Sequence, residues 1–136
     1  RKARYAEFSE ILRPGEHLLL AQHAEDQAET FLLQALRGSG LDGLSGIPRK
    51  RRFSVGYIGR PLLACSLESL SIVASTHDLI WIEDPSYLED KFDHNYLRLN
   101  VMPLLKERWP AYAQTLSRSA LRSAAASQTL LGLAQQ

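Results

Sequence analysis

The order of helix-like and strand-like segments along the chain predicts an α/β fold. Segments with apolar residues at helical spacing alternate with short apolar runs that are typical of buried strands. Of the 136 residues, 45% are apolar and 23% are charged, which is typical of one globular domain. Only two or three strands are predicted, fewer than a complete parallel sheet usually has. We therefore expect the C-terminal portion of a parallel sheet with flanking helices, followed by a helical extension.

The first third of the chain has the clearest pattern. A helix is predicted over residues 4–12, ending before Pro14, and the run Leu18–Ala21 predicts a buried strand. A second helix is predicted from Glu25 to Gly38, a glycine that favours the left-handed helix cap. Its expected apolar stripe consists of Ala28, Phe31, Leu32, Ala35 and Leu36.

The middle of the chain predicts a loop, a strand and a third helix. A glycine-rich loop over residues 38–46 precedes the basic run Arg49–Arg52, and residues 53–58 predict one strand that ends at Gly59. Ser66 is expected to cap the third helix. The residues expected on the buried side of this helix are Leu67, Leu70, Val73 and Ala74.

The last third is predicted to be mostly helical. A short apolar run at residues 80–82 precedes an acidic loop over residues 83–90. A helix is expected from Asp93 towards Trp109, and Pro103 should kink or split it because proline lacks a backbone N–H. The segment from Ala111 onwards predicts one long helix.

Composition excludes several classes of protein. Sixteen Lys and Arg residues against fifteen Asp and Glu give a net charge of +1, so any binding of a polyanion depends on a local patch. No apolar run is long enough for a transmembrane helix or a signal peptide. The single Cys65 excludes an internal disulfide framework and a CxxC metal site. We expect a soluble, cytoplasmic protein.

The strongest candidate site lies where the first strand ends and the second helix begins, a position at which open α/β sheets bind ligands. Asp26 and Glu29 are one helical turn apart, on the side away from the apolar stripe, and together are able to hold an amine or a base edge. The alternative is that both are solvated acids that favour the positive end of the helix dipole. His23 has no second His or Cys partner nearby in sequence, so no metal site is predicted.

Weaker candidates are basic. Arg37 beside a glycine-rich loop, and Arg60 at a strand end, are able to contact phosphate. The basic run, Arg49, Lys50, Arg51 and Arg52, lies beside aromatic residues and is able to contact RNA, or else it is a solvated hairpin tip. Asn95 and Arg98 share one face of a helix, although an Asp cap followed by a surface Arg would explain this spacing equally well.

Four motifs in a fixed order carry a family resemblance. They are residues 21–48 with their HxxDxxE pattern, RPLL at residues 60–63, WIED at residues 81–84 and a DxNxxR segment at residues 93–105. Together they closely resemble the tRNA(Ile)-lysidine synthetases, which are N-type ATP pyrophosphatases with an adenine-nucleotide α-hydrolase-like sheet. The resemblance extends from Arg4 to the final helix. It implies a ligase that adenylates the wobble cytidine of tRNA(Ile) with a CAU anticodon and then joins lysine to it.

The resemblance also implies roles for individual residues. His23, Asp26 and Glu29 match substrate-binding positions, with Asp26 as the lysine-recognising carboxylate and Glu29 as a contact for the target cytidine. Arg98 matches an arginine near the reacting centre, and Asn95 supports it. The positions implied for ATP or phosphate binding are Arg4, Arg37 and Arg60.

One departure from the family is large. Its SGGxDS loop, through which ATP and Mg²⁺ are mainly bound, is absent from this sequence. We therefore expect a fragment, with residues 1–91 as the second part of the nucleotide-binding domain and residues 92–136 as a helical extension. Exposed strand edges in such a fragment would favour a homodimer. The WIED loop departs more mildly, because Ser86 is followed by Tyr87 where the family usually has Asn.

The main alternative to a lysidine synthetase is a free-standing RNA-binding module with the same fold and no catalysis. A hydrolytic metalloenzyme around His23 ranks a distant third. The related tRNA 2-thiolation enzymes need cysteines that carry sulfur or an iron–sulfur cluster, and the single Cys65 argues against them.

Overall fold

The computed structural model describes residues 2–82, 85 and 91–134 and confirms the α/β class. A small sheet is flanked and followed by helices, and a π-helical turn at Leu97–Val101 lies between two of them. In chain order the elements are α1 (Lys2–Ile11), β1 (His17–Leu19), α2 (Ala24–Leu36), α3 (Leu41–Leu44), β2 (Lys50–Phe53), β3 (Gly56–Gly59), α4 (Leu67–Thr76), α5 (Asp93–Tyr96), α6 (Met102–Arg108) and α7 (Tyr112–Ala134).

The sheet is mixed, whereas a parallel sheet was expected. Its strand order is β1-β3-β2, with β1 parallel to β3 and β2 antiparallel to β3. The prediction of one strand over residues 53–58 is therefore wrong, because the chain reverses direction between β2 and β3. Ser54 makes this turn with a φ of 51°, in the left-handed region that sequence patterns associate with Gly or Asn. The basic run consequently lies along a strand and not at a hairpin tip.

Helix α2 ends at the predicted cap but has a different buried face. The His23 backbone N–H donates to Asp26 Oδ2 at 2.9 Å in a capping box, and Gly38 has the expected positive φ of 71°. Leu36, expected in the apolar stripe, is 74% exposed, whereas Leu33 and Glu29 on the opposite side are buried. The reason is that the segment from α5 to α6 covers this second face of the helix.

Helix α4 forms as predicted, but its buried side does not. Ser66 caps the helix by accepting from the Ser69 backbone N–H at 3.1 Å. Leu67 and Val73 are each about half exposed, and within the described part of the chain no residue of α4 is buried. Residues 80–82 are also exposed and lie outside the sheet. The predicted acidic loop, and with it the end of the WIED motif, lies outside the described residues except for Pro85.

The predictions for the helical C-terminal third are confirmed. The helix that begins at Asp93 is split by the π-helical turn, and Pro103 lies in the first turn of α6, where its missing N–H costs least. Helix α7 is a single long helix that packs on α2 through Ala24, Ala28 and Ala113. A second apolar cluster joins Leu33 of α2 to Leu97 and Met102. Among the helices of the described residues, none has the length and hydropathy needed to cross a bilayer.

Candidate active site

A large groove of about 1970 Å³ opens where β1 ends and α2 begins. Its lining comes mainly from α1, α2, α4, the segment from α5 to α6 and the start of α7. The groove brings together most of the predicted site residues, although Arg49, Lys50, Arg52 and Asn95 do not line it. The predicted residues in its lining are Arg4, His23, Asp26, Glu29, Arg37, Arg51, Arg60 and Arg98.

The centre of the groove is an ion-pair cluster between two distant segments of the chain. Arg98 donates from Nε to Glu29 Oε1 and from Nη2 to Glu29 Oε2, each at 2.8 Å, in a bidentate pair. Arg98 Nη2 also donates to Asp26 Oδ1 at 3.2 Å. The Glu29 side chain is only 3% exposed, so the interpretation of both acids as solvated first-turn residues is wrong.

The environment of Glu29 keeps it ionised. Burial by itself raises the pKa of this carboxyl. The interactions with His94, whose Nδ1 lies 3.9 Å away, and with Arg98 outweigh burial and hold the pKa below its usual value. Tyr112 is half-buried near Glu25 and Glu29. Its burial, together with the negative charges of these two carboxylates, raises its pKa. Glu29 therefore gives Arg98 a fixed anionic partner.

A second set of contacts surrounds His23. Its Nδ1 lies 3.0 Å from Glu25 Oε2 and its Nε2 lies 3.4 Å from Asp26 Oδ2. The hydrogen bond with Glu25 raises the pKa of His23 above its usual value despite partial burial. Burial raises the pKa of Glu25 in turn, but His23 and the Leu67 backbone N–H outweigh it, so the Glu25 pKa is lowered. A carboxylate near each of the two ring nitrogens favours the protonated, imidazolium form of His23.

Three groove arginines differ in their surroundings. Arg60 is buried, and its guanidinium donates from Nε to the Gln22 side chain and from Nη1 to the Pro48 carbonyl at 2.8 Å. Arg37 forms an exposed ion pair with Asp93 at 2.9 Å. Arg4 is exposed on α1 at the edge of the groove. The groove thus has carboxylates at its centre and guanidinium groups around its rim.

Successive side chains of β2 point to opposite faces of the sheet, so the basic residues of this strand are divided between the two faces. Arg51 lies opposite Ile58 and its guanidinium is 6.0 Å from the centre of the Tyr5 ring, on the groove side of the sheet. Lys50 and Arg52 alternate with it and occupy the other face of the sheet. There the Lys50 ammonium lies 4.2 Å above the Tyr57 ring. Only one member of the run therefore reaches the candidate site.

Sequence reasoning missed several residues of the site, namely Glu25, His94, Tyr112 and Gln27. The buried Gln27 side chain accepts from the Ile47 backbone N–H at 2.7 Å and donates to the Ile47 carbonyl at 3.0 Å, which fixes the loop beside the groove. Glu25 sits between His23 and Asp26, and this adjacency was the available signal for it. His94 likewise lies next to Asn95 in the DxNxxR segment, whereas no such adjacency indicated Tyr112.

The described residues do not fit a metal ion. Among them no group of three or more His, Cys, Asp or Glu side chains is arranged to hold one. Arg98 occupies the space between Asp26 and Glu29 that a cation would need. The described residues thus supply no such cluster of protein ligands for the Mg²⁺ that the family resemblance implies.

Comparison with known proteins agrees with this geometry. The family model described as PP-loop domain matches residues 1–105. The chain belongs to the PP-loop domain family. The groove of the chain lies at the carboxyl end of β1, a position at which α/β sheets bind ligands.

Several close relatives share one name. The tRNA(Ile)-lysidine synthase of Proteus mirabilis is 51% identical over 120 residues, which cover 88% of this chain and 27% of the relative. That of Pseudomonas putida is 47% identical over 136 residues, covering 100% of this chain and 32% of the relative. That of Xanthomonas axonopodis pv. citri is 49% identical over 131 residues, covering 96% and 30%. The resemblance to this family is confirmed, and the chain spans about 30% of the length of these relatives.

Proposed function

We propose that this chain is the part of an ATP-dependent tRNA-modifying ligase that holds lysine and the wobble cytidine of tRNA(Ile) with a CAU anticodon. In the proposed reaction the cytidine attacks the α-phosphorus of ATP, pyrophosphate leaves, and lysine then displaces AMP to give lysidine. The observation that carries the proposal is the cluster of Arg98, Asp26 and Glu29 at the centre of a groove with a basic rim. The similarity to PP-loop domains and to lysidine synthases supports it.

The charges of the cluster favour an ammonium ligand. Three carboxylates, Glu25, Asp26 and Glu29, lie together in this partly buried cluster, where Arg98 and His23 contact them. Carboxylates that are partly shielded from water attract a cation more strongly than carboxylates in bulk solvent. Asp26 is the more accessible of the carboxylates that Arg98 binds, at 22% exposed against 3% for Glu29. We assign the recognition of lysine to Asp26 on this basis.

Glu29 and Arg98 are proposed to act together at the cytidine. Both oxygens of Glu29 accept from Arg98, so the carboxylate fixes the plane of the guanidinium beside the groove. A guanidinium held in this way stabilises negative charge on a reacting phosphoryl group. Glu29 Oε1 accepts from Arg98 Nε and has a second lone pair, which is able to accept from the exocyclic amine of cytidine. His23 and Asn95 are proposed as supporting residues.

The groove rim is proposed to contact phosphates. Arg4, Arg37 and Arg60 are assigned to ATP, with ATP and Mg²⁺ bound mainly by an SGGxDS loop outside these 136 residues. The basic run, Arg49–Arg52, is assigned to the tRNA backbone. We also propose the division into an α/β part, residues 1–91, and a helical extension, residues 92–136, a location in the cytoplasm, and a homodimer formed through the exposed edge of β1.

The test is incorporation of labelled lysine by the full-length product of the gene. We expect label to join a tRNA(Ile) transcript with a CAU anticodon only when ATP is present, with release of pyrophosphate. A transcript with a CAG anticodon is the matched control and should take up no label. Binding of tRNA without ATP and without any incorporation would contradict the proposal and favour the RNA-binding module. Sequencing the DNA upstream of the Arg1 codon adds a check, because the proposal requires an open reading frame that encodes SGGxDS.

A further inference from the structure

Glu25 connects three segments at the edge of the candidate site. It lies in the first turn of α2, and its Oε2 accepts from the Leu67 backbone N–H, at the start of α4, at 2.8 Å. The same oxygen lies 3.0 Å from His23 Nδ1. The side chain is 21% exposed, so water competes little with these two partners. Glu25 has no individual role in the proposed function.

The contacts continue from His23 to Asp26. The Asp26 Oδ2 atom accepts from the His23 backbone N–H at 2.9 Å and lies 3.4 Å from His23 Nε2. Its other oxygen, Oδ1, faces Arg98. The direction of the Asp26 carboxylate is therefore set by His23 on one side and by Arg98 on the other. The orientation of the His23 ring depends in turn on the carboxylate at its Nδ1.

We propose that Glu25 is a positioning residue that orients His23, which holds the Asp26 carboxylate towards the ammonium group of lysine. This inference rests on the proposed function and extends it to a residue without an assigned role. A shorter side chain at position 25 removes the partner of His23 Nδ1, and a neutral one weakens this contact, so the His23 ring is held less firmly. Asp26 then keeps the hydrogen bond from the His23 backbone N–H and the ion pair with Arg98, but its contact with the His23 ring is weakened.

The mechanism also predicts a pH effect. The groups that face His23 are Glu25, Asp26 and Glu29 of α2, and Arg98 of the π-helical turn contacts the same Asp26 carboxylate. Glu25 raises the pKa of His23 more than either other carboxylate does. Removal of its charge should therefore let His23 lose its proton at a lower pH. Binding of lysine should then weaken at a lower pH than in the unsubstituted protein.

The experiment compares Glu25→Gln with Glu68→Gln in the full-length product of the gene. Glu68 lies in the first turn of α4, lines the same groove and is exposed, so its substitution removes the same charge. Two quantities are measured across pH: the KM for lysine in tRNA ligation, and the rate of pyrophosphate release with tRNA and ATP before lysine is added. An NMR titration of the His23 ring is recorded for each variant.

We expect Glu25→Gln to raise the KM for lysine about tenfold and to leave pyrophosphate release unchanged. His23→Asn should have a similar effect, and the two substitutions together should add less than about twofold more. Glu68→Gln should change neither quantity. Equal effects of the two Glu variants, or a parallel fall in both activities, would overturn the inference.

Failure of the proposed function is separable from failure of this inference. Unsubstituted protein that attaches no lysine would contradict the proposed function. The NMR titration would then decide the positioning of His23 by itself, since an unchanged pKa in Glu25→Gln would overturn it.

Discussion

Helices α2 and α4 have comparable apolar patterns but different environments. The N-terminal turn of each helix lines the groove, and both helices were predicted from apolar residues at helical spacing. Helix α2 is packed by α7 on one side and by the segment from α5 to α6 on the other. Within the described residues, α4 has no buried side chain, and Ile72 and Val73 are more than half exposed. Apolar periodicity thus predicts which face a helix is able to bury, and the rest of the chain decides whether that face is covered.

The difference has a consequence for function. The residues that the site needs to hold rigidly, Asp26 and Glu29, project from the helix that is packed on two sides. A helix fixed in this way keeps its side chains within the small range of positions that binding and catalysis require. Helix α4 contributes a backbone N–H to Glu25 and a wall to the groove. We therefore expect substitutions on the two helices to have effects of different size.

Loss of Arg98 should be the most severe change. Arg98→Ala leaves the Glu29 carboxylate buried without its bidentate partner, which costs about 3 kcal/mol of unfolding free energy. The matched control is Arg37→Ala, because the Arg37–Asp93 pair is exposed and its loss costs at most about 1 kcal/mol. Urea denaturation of the chain measures both values. Equal losses in the two variants would show that the pair on α2 is not buried in solution.

The next largest difference should appear when an apolar side chain is truncated on each helix, because the loss of unfolding free energy should be larger on α2 than on α4. Leu33→Ala removes a side chain that is 7% exposed and packs on Leu97 and Met102, so we expect a loss of about 2–3 kcal/mol. Ile72→Ala removes a side chain that is 62% exposed and should stay within about 0.5 kcal/mol. Thermal and urea unfolding test this pair. A large loss for Ile72→Ala would mean that α4 is covered in solution.

The pH dependence of stability should be a smaller effect with a definite sign. The raised pKa of His23 contributes stability that is complete below its usual value of 6.5 and is lost as the pH rises through the folded value. The lowered pKa values of Glu25 and Glu29 contribute stability above 4.5 that is lost as the pH falls through the folded values. The unfolding free energy should therefore be greatest between these limits.

Urea denaturation from about pH 3 to about pH 9 measures this curve. His23→Asn should flatten the decrease on the alkaline side, and because His23 also lowers the pKa of Glu25 it should reduce the acidic decrease in part, leaving the contribution of Glu29. His77→Asn, at an exposed position after α4, is the control and should leave both sides as they are. If the unfolding free energy of His23→Asn still falls at alkaline pH, the conclusion that His23 is protonated in the folded protein would be contradicted.

Sequence reasoning was most successful where local chemistry determines the structure. The Gly38 cap, the Ser66 cap and the break at Pro103 each depend on one residue and its neighbours, and all three are confirmed. The hairpin turn was missed because Ser54 adopts a positive φ without the glycine that usually indicates such a turn. The cluster around Glu29 was located through its residue types. Its bidentate pairing joins residues 69 positions apart, and no local pattern encodes such a contact.

The most direct test of the account is the effect of Asp26→Asn on lysine transfer. The substitution keeps the size of the side chain and removes the charge that is proposed to hold the ammonium group. Asp42→Asn, on the exposed surface of α3, is the matched control. In the full-length product of the gene we expect Asp26→Asn to abolish transfer of labelled lysine to the tRNA(Ile) transcript, with pyrophosphate release retained. Transfer at the rate of the unsubstituted protein would contradict the central claim.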